Sequence, residues 1–375
     1  MILFLNFAPI EFMGGAEKMM LKMSNIIKDR ERTVLVSVSK KIADFYGKLV
    51  LHRKFDNRIK STTSQNESFI KLTFKSFIPL HKEWKKTREL FQNARIIYIK
   101  FELLETLIVI YFGGFKALRK TIAGIHTPLI YMYPKGFFDN LHTWLYESFL
   151  SKFILSRMKK VHVLTAREQF FLQKNFHLKN IVLIPNSLPD SYVKNNTVET
   201  IKNNLIIIFI GELSRRKGAD ILLDVIKNSP KEYIFHIVGD GPMKNEITDF
   251  VKTKSNCKIH GYINEDEVKK IYKQSDIIFI PSRAESMSLV TLEAMASGLK
   301  IVGSTEIPID LPLFIKHSNI YNKYEKYLEL FRQIYLQKQN GKFFEEKEKI
   351  VDYFRENFTD KKIIPALVKE VFGLS

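Results

Sequence analysis

From Leu205 to Gly303 the sequence repeats one plan: a short, continuously apolar run followed by a segment of helical spacing. The runs are L-I-I-I-F-I (205–210), I-F-H-I-V (234–238), C-K-I-H (257–260), D-I-I-F-I (276–280) and K-I-V-G (300–303). Helical patterns follow from about Gly218 to Asn228, Lys244 to Val251, E-D-E-V-K-K-I-Y (265–272) and Leu289 to Ser297. A strand with one wet face alternates polar and apolar residues. Apart from C-K-I-H these strands do not, so helices cover both faces of their sheet. In open sheets of this kind, ligands bind in the crevice outside the carboxyl ends of the strands.

The first half follows the same plan less regularly. Strand I-L-F-L-N-F (2–7) leads through a Gly-Gly loop to a helix from about Glu17 to Lys28, and then to T-V-L-V-S-V (33–38). Apolar runs at Ile96–Ile99, Thr121–Ile125, Val161–Leu164 and Ile181–Ile184 read as later strands. A chain of 375 residues exceeds one ordinary core and fits two domains. The boundary falls near Pro185, where I-V-L-I-P-N-S gives way to a polar stretch ending at Asn204.

Charge separates the two halves. Residues 1–185 hold 31 Lys and Arg against 14 Asp and Glu, whereas residues 186–375 hold 28 against 26. The basic half is suited to an anionic partner, a membrane surface or a polyanion. The apolar start lacks the basic lead and length of a signal peptide and reads as a first strand. The longest apolar span, Ile96 to Phe115, carries Lys100, Glu102 and Glu105, which argues against a transmembrane helix. The single cysteine, Cys257, allows no intrachain disulfide. The expected location is the cytoplasm, free or peripheral at the inner membrane face.

The segment P-S-R-A-E-S-M-S-L-V-T-L-E-A-M-A-S-G (281–298) leaves an apolar strand and enters a helix. A helix N-terminus offers free N–H groups and a positive dipole end, which suit a phosphate. Glu293, one turn into the helix, can accept from ribose hydroxyls, and Glu285, before it, can reach a sugar beyond the phosphates. The spacing matches a sugar nucleotide read as sugar, diphosphate and ribose.

With E-A-M-A-S-G following, this segment resembles the donor-binding motif of the retaining glycosyltransferases of family 4. I-I-F-I-G-E-L-S-R-R-K-G (207–218) is similar to that family's Gly-Arg and Lys-Gly element, whose cations hold the donor diphosphate. Lys217 matches the family lysine, but Glu212 stands at the usual arginine position, leaving Arg215 or Arg216 to replace that cation. F-H-I-V-G-D-G-P (235–242) resembles the family's V-G-x-G-P strand end, and I-H-G-Y-I (259–263) its loop beside the nucleobase, where Tyr262 and Ile263 are candidates for base contact. In the first half, M-G-G-A-E-K (13–18) resembles the Gly-Gly-Ala-Glu loop, in which Gly14 and Gly15 let backbone approach the donor. T-I-A-G-I-H (121–126) ends in His126, similar to the family histidine near the reaction centre. I-P-N-S (184–187) resembles the I-P-N-G hinge with Ser187 in place of glycine.

The resemblance implies the α/β architecture called GT-B, two Rossmann-like doubly wound domains facing each other across a cleft. Residues 1–184 with 357–375 would bind the acceptor, and residues 185–356 the nucleotide sugar. It implies a hexosyltransferase that retains anomeric configuration, with a UDP- or GDP-sugar as donor. The catalytic candidates are His126 and Glu285. The donor-binding candidates are Gly14, Gly15, Arg215, Arg216, Lys217, Tyr262, Ile263, Ser286, Met287, Ser288, Leu289, Val290 and Glu293. No Asp-x-Asp pair follows a strand, so no metal and no cofactor are expected, and Lys217 with helix N–H groups would neutralise the leaving group.

The acceptor expected from the charge asymmetry is a lipid-linked glycan or glycolipid at the membrane surface. Two basic amphipathic stretches, 69–86 and 137–155, read either as bilayer contacts or as helices packed on the first sheet. Two other readings stay open. One is an epimerase or hydrolase of nucleotide sugars on the same fold. The other is a nucleic-acid-binding, base-glucosylating protein, although the sequence carries no nucleic-acid motif and no nucleic-acid partner is expected.

Overall fold

A computed structural model of the chain describes residues 1–6, 15–37, 81, 84–126, 144, 146–193, 203–307, 315–318 and 324–375. Their contacts form two units. One holds the described residues between Met1 and Ile184 together with Pro365–Ser375, and the other holds Pro185–Ile364.

In the first unit the strands are β1 (Ile2–Asn6), β2 (Thr33–Ser37), β3 (Ile96–Lys100), β4 (Thr121–Ile125), β5 (Lys160–Val163) and β6 (Ile181–Leu183). They pair in the order β2-β1-β3-β4-β5-β6, every pair parallel. Helices Gly15–Lys28, Trp84–Asn93, Leu103–Gly113, Phe149–Arg157 and Ala166–Phe176 connect them. The first helix begins at Gly15, slightly ahead of the expected Glu17. Strand residues buried on both sides, such as Ile96, Ile97, Tyr98 and Ile99, explain why the runs do not alternate. Ser148 and Thr165 cap the last two of these helices by accepting from the backbone N–H groups of Ser151 and Glu168.

The second unit holds β7 (Leu205–Ile210), β8 (Tyr233–Val238), β9 (Cys257–Gly261), β10 (Ile277–Ile280), β11 (Lys300–Ser304) and β12 (Ile315–Ser318). Their order is β12-β11-β10-β7-β8-β9, again all parallel. The chain first winds outward from β7 to β9 and then crosses back to start at β10 beside β7. That reversal makes a crevice between the loops leaving β7 and β10, the place where open parallel sheets hold ligands. The helix Glu265–Gln274 follows β9. Asn264 and Glu267 form a capping box, with Asn264 Oδ1 accepting from Glu267 N–H at 2.9 Å and Glu267 Oε2 from Asn264 N–H at 3.1 Å.

The opposite, amino end of this sheet is fixed by charge. Asp276, just before β10, accepts from the Ile206 backbone N–H at 2.8 Å and from Lys338 Nζ at 2.6 Å, and both side chains of that ion pair are buried. Lys338 also donates to the Asn204 carbonyl at 2.7 Å, so one ammonium ties the helix Tyr324–Gln339 to β7 and β10. Removing one partner of such a pair leaves a buried charge uncompensated. Lys338→Met is therefore expected to lower the unfolding free energy by about 3–5 kcal/mol, and adding Asp276→Leu to recover only part of that loss because the Ile206 N–H then lacks its acceptor, as measured by urea denaturation.

Candidate functional site

The loops leaving β7 and β10 lie on either side of the crevice, and they are laced together. Gly218 has φ +75°, a left-handed conformation that favours glycine, and a Cβ there would overlap the Pro281 carbonyl. The Arg283 backbone N–H donates to the Arg216 carbonyl at 2.8 Å. Its guanidinium grips Asp220 with two bonds, 2.7 and 2.8 Å, and also donates to the Arg215 carbonyl. Burial alone would raise the Asp220 pKa, but the Arg283 guanidinium outweighs it and holds the carboxyl below its ordinary value.

Within this clasp Lys217 Nζ lies 2.5 Å from Glu285 Oε1, and Ser282 Oγ donates to the same oxygen at 2.8 Å. Glu285 is buried, so an unpaired charge there would be costly and the lysine offsets it. The arrangement presents a cation and a carboxylate side by side. Ser282 is itself held from behind, its carbonyl accepting from Ser304 Oγ at 2.5 Å.

The helix Leu289–Ala296 starts directly after this loop, with Ser288 as its cap residue making no side-chain cap hydrogen bond. Its first N–H groups, from Leu289 and Val290 onward, therefore lack the side-chain acceptor that usually satisfies them. Ser286 and Met287 are buried, while Ser288, Leu289, Val290 and Glu293 are half-buried. Met287 is anchored by Asn186, whose Nδ2 donates to the Met287 carbonyl at 2.9 Å and whose backbone N–H lies 3.1 Å from Met287 Sδ. Glu293 accepts from the buried Tyr272 hydroxyl at 3.1 Å, which fixes one carboxylate oxygen a turn into the helix.

The other candidates sit as follows. Arg215 is exposed and lies 3.5 Å from Asp220, and Arg216 pairs with Glu212 at 3.3 Å. Glu212 thus pairs with one of the two arginines expected to supply the cation missing at its own position. Tyr262 is exposed and Ile263 half-buried, in the turn between β9 and the helix Glu265–Gln274. In the first unit, His126 follows β4 and is buried, and burial pushes its pKa well below the ordinary histidine value. Gly15 opens the first helix, and Gly14 lies outside the described residues. Sequence reasoning gave no role to Arg283, Ser282, Asp220 or Tyr272. Arg283 and Ser282 stand inside the P-S-R-A-E segment itself, where an arginine between small residues just after an apolar strand is the signal that could have marked them.

Comparison with known proteins gives the architecture. The structure superposes on Anabaena HepE in complex with UDP and glucose with a TM-score of 0.73, at 16% identity, covering 100% of this chain and 99% of that one. Sucrose-phosphate synthase from Thermosynechococcus elongatus gives a TM-score of 0.74 at 14% identity, covering 99% and 98%. The fold is GT-B. Residues 204–319 of this GT-B chain match the family model described as Glycosyl transferases group 1, so the second unit carries a glycosyltransferase domain. An uncharacterized glycosyltransferase of Methanocaldococcus jannaschii is 30% identical over 187 residues, 42% of this chain and 53% of its own length. The first three curated relatives are matched over only 53%, 30% and 60% of their lengths. A Campylobacter jejuni enzyme, 25% identical over 75% of this chain and 73% of its own, is named as an α-1,4-N-acetyl-D-galactosaminyltransferase acting on a PP-undecaprenol-linked glycan.

The clasp makes a testable demand. Gly218→Ala should lower stability by about 2 kcal/mol or more, since it adds both the left-handed penalty and an overlap with Pro281 backbone. Gly341, also left-handed at φ +76° but in open space, is the control, where alanine should cost only about 1–2 kcal/mol. Chemical denaturation of both variants measures the difference.

Proposed function

We propose that the chain is a retaining glycosyltransferase of family 4 that moves a sugar from a nucleotide-diphosphate sugar to an acceptor. The observation that carries this reading is the Lys217–Glu285 pair beside the helix N-terminus at Leu289, in the crevice between β7 and β10. The N–H groups of Leu289 and Val290 and the Lys217 ammonium are suited to the diphosphate, Glu293 to the ribose hydroxyls and Glu285 to the sugar. Small Ser286 and Ser288 let backbone approach the donor, and Met287 is held in place by Asn186. Tyr262 and Ile263 are the proposed base contacts. Gly14, Gly15 and His126 are the first unit's candidates for the sugar, and Arg215 or Arg216 adds positive charge. UDP bound to HepE supports a nucleotide as ligand.

In the proposed reaction the bond between the anomeric carbon and the diphosphate oxygen breaks while the acceptor oxygen bonds to that carbon on the same face. The acceptor proton passes to the departing phosphate oxygen, so no side-chain base is required. Lys217 and the helix N–H groups stabilise the charge on the leaving diphosphate. No step is routed through a metal. Among the described residues, no group of three or more His, Cys, Asp and Glu side chains is placed to hold one.

The proposed acceptor is a lipid-linked glycan, the chemistry in the name of the Campylobacter relative. The first unit's exposed aromatic residues support a membrane surface as its location. Trp144 is 66% and Phe149 78% exposed, and Arg157 lies over the Phe153 ring at 4.8 Å on the same helix as Phe149. Aromatic and basic groups together suit an anionic bilayer, where each cation contributes about 1 kcal/mol. Among the described residues no helix is long and apolar enough to cross a membrane.

Thermal unfolding with UDP-glucose and with GDP-mannose tests the donor. The nucleotide that fits should stabilise by about 2.7 kcal/mol at a hundred times its dissociation constant. Glu285→Gln should keep the fold and lower sugar transfer by about a hundredfold or more, as measured by nucleotide release with lipid-linked acceptor. Neither nucleotide stabilising the protein, or full activity in the variant, contradicts the reading.

A further inference from the structure

Three strands of the first sheet bring Tyr98, His126 and His162 together. The register sets Tyr98 of β3 beside Ile122 of β4, and Gly124 of β4 beside His162 of β5. Residues two apart on a strand share a face, so Tyr98, Gly124 and His162 share one, with His126 just beyond the strand end. Phe4 of β1 and Phe372 near the C-terminus pack against the Tyr98 ring, with centroids 5.4 and 5.6 Å away.

The polar atoms form a chain. Tyr98 Oη lies 2.8 Å from His126 Nε2 and 2.8 Å from His162 Nδ1, and His162 Nε2 lies 2.8 Å from the Ile184 carbonyl. The space for it exists because residue 124 is glycine. A Cβ there would overlap the Tyr98 hydroxyl and stand 2.7 Å from His126 Nε2.

Direction follows from the fixed end. A carbonyl only accepts, so His162 Nε2 carries the proton. A neutral imidazole has one N–H, which makes His162 Nδ1 an acceptor, and the Tyr98 hydroxyl must donate to it. The Tyr98 oxygen then accepts from His126 Nε2–H, leaving His126 Nδ1 a bare lone pair. Both rings are neutral near pH 7. Burial holds His162 down to about 4, and burial, with His162 and Lys100 nearby, pushes His126 well below its ordinary value. His126 Nδ1 is buried and has no hydrogen-bond partner among the described residues.

We propose that Tyr98 and His162 are positioning residues that lock His126 in its Nε2–H tautomer, so that Nδ1 acts only as an acceptor for a sugar hydroxyl. The hydroxyl as the group accepted rests on the glycosyl-transfer reading, whereas the locked tautomer is a property of the protein alone. An electron-rich nitrogen fixed in this way selects ligands that present an O–H at that point and rejects those that present only an acceptor.

Nitrogen-15 NMR of the full chain labelled at histidine reads the tautomer directly, with the His126→Gln variant assigning the signals. In the wild type, His126 Nδ1 should resonate as an unprotonated nitrogen and Nε2 as a protonated one. Tyr98→Phe keeps the ring but removes the relay, so both His126 nitrogens should move toward averaged values. A purely structural role for the tyrosine would leave them unmoved. An Nδ1–H tautomer in the wild type overturns the proposal even if the variant fails to fold, as does an unchanged His126 spectrum in a folded Tyr98→Phe. A wild type that shows the expected tautomer but turns over no nucleotide sugar supports the relay and removes only the transfer reading.

Discussion

An open parallel sheet holds a ligand between two of its loops where the winding direction reverses, because elsewhere a crossover helix fills the gap between neighbouring strands. In the second unit that reversal lies between β7 and β10, and the residues of this unit proposed for the diphosphate and sugar are on one of those two loops or the helix that follows. The loops would spread if nothing joined them. Gly218 against Pro281, Arg283 on Asp220 and Lys217 on Glu285 are the joints, one steric and two ionic. The same contacts that close the structure also fix the cation and carboxylate of the proposed donor site.

The first unit uses its sheet differently. There a row of strand side chains, Phe4, Tyr98 and His162, continues across the sheet to the buried His126. Phe372 returns from the far end of the sequence to pack on that row, and Lys160 of β5 donates to the Glu370 carbonyl in the same returning segment. The C-terminal residues Pro365–Ser375 therefore belong to the packing of the unit in which the chain began.

Much of the second unit was legible in the sequence, since a strand covered on both faces leaves a continuous apolar run that needs no knowledge of neighbours. β7 begins and ends at the expected residues, and β10 and β11 within one residue of them. The helix starts at 265 and 289 were legible for a related reason, because capping and loop chemistry are local. What could not be read was pairing between distant residues. Arg216 looked available as a cation, and only the structure sets Glu212 against it. Tyr98 and His162 sit in I-I-Y-I-K and K-V-H-V, where each reads as an ordinary strand residue. Their meeting across β4 depends on register and on Gly124, neither of which is encoded in any one segment.

The same limit governs the acceptor. Donor chemistry is compact and repeats along a short motif, whereas the basic half carries its information in surfaces assembled from separated segments. The proposal of a lipid surface rests on the charge of that half and on its exposed aromatic residues.

The central claim is that the crevice between β7 and β10 binds a nucleotide diphosphate. A crystal structure of the chain with UDP tests it most directly. The account predicts the diphosphate at the N–H groups of Leu289 and Val290 within reach of Lys217 Nζ, and the ribose hydroxyls on Glu293. UDP bound elsewhere, or bound in this crevice with its phosphates away from both Lys217 and the helix N-terminus, would contradict it.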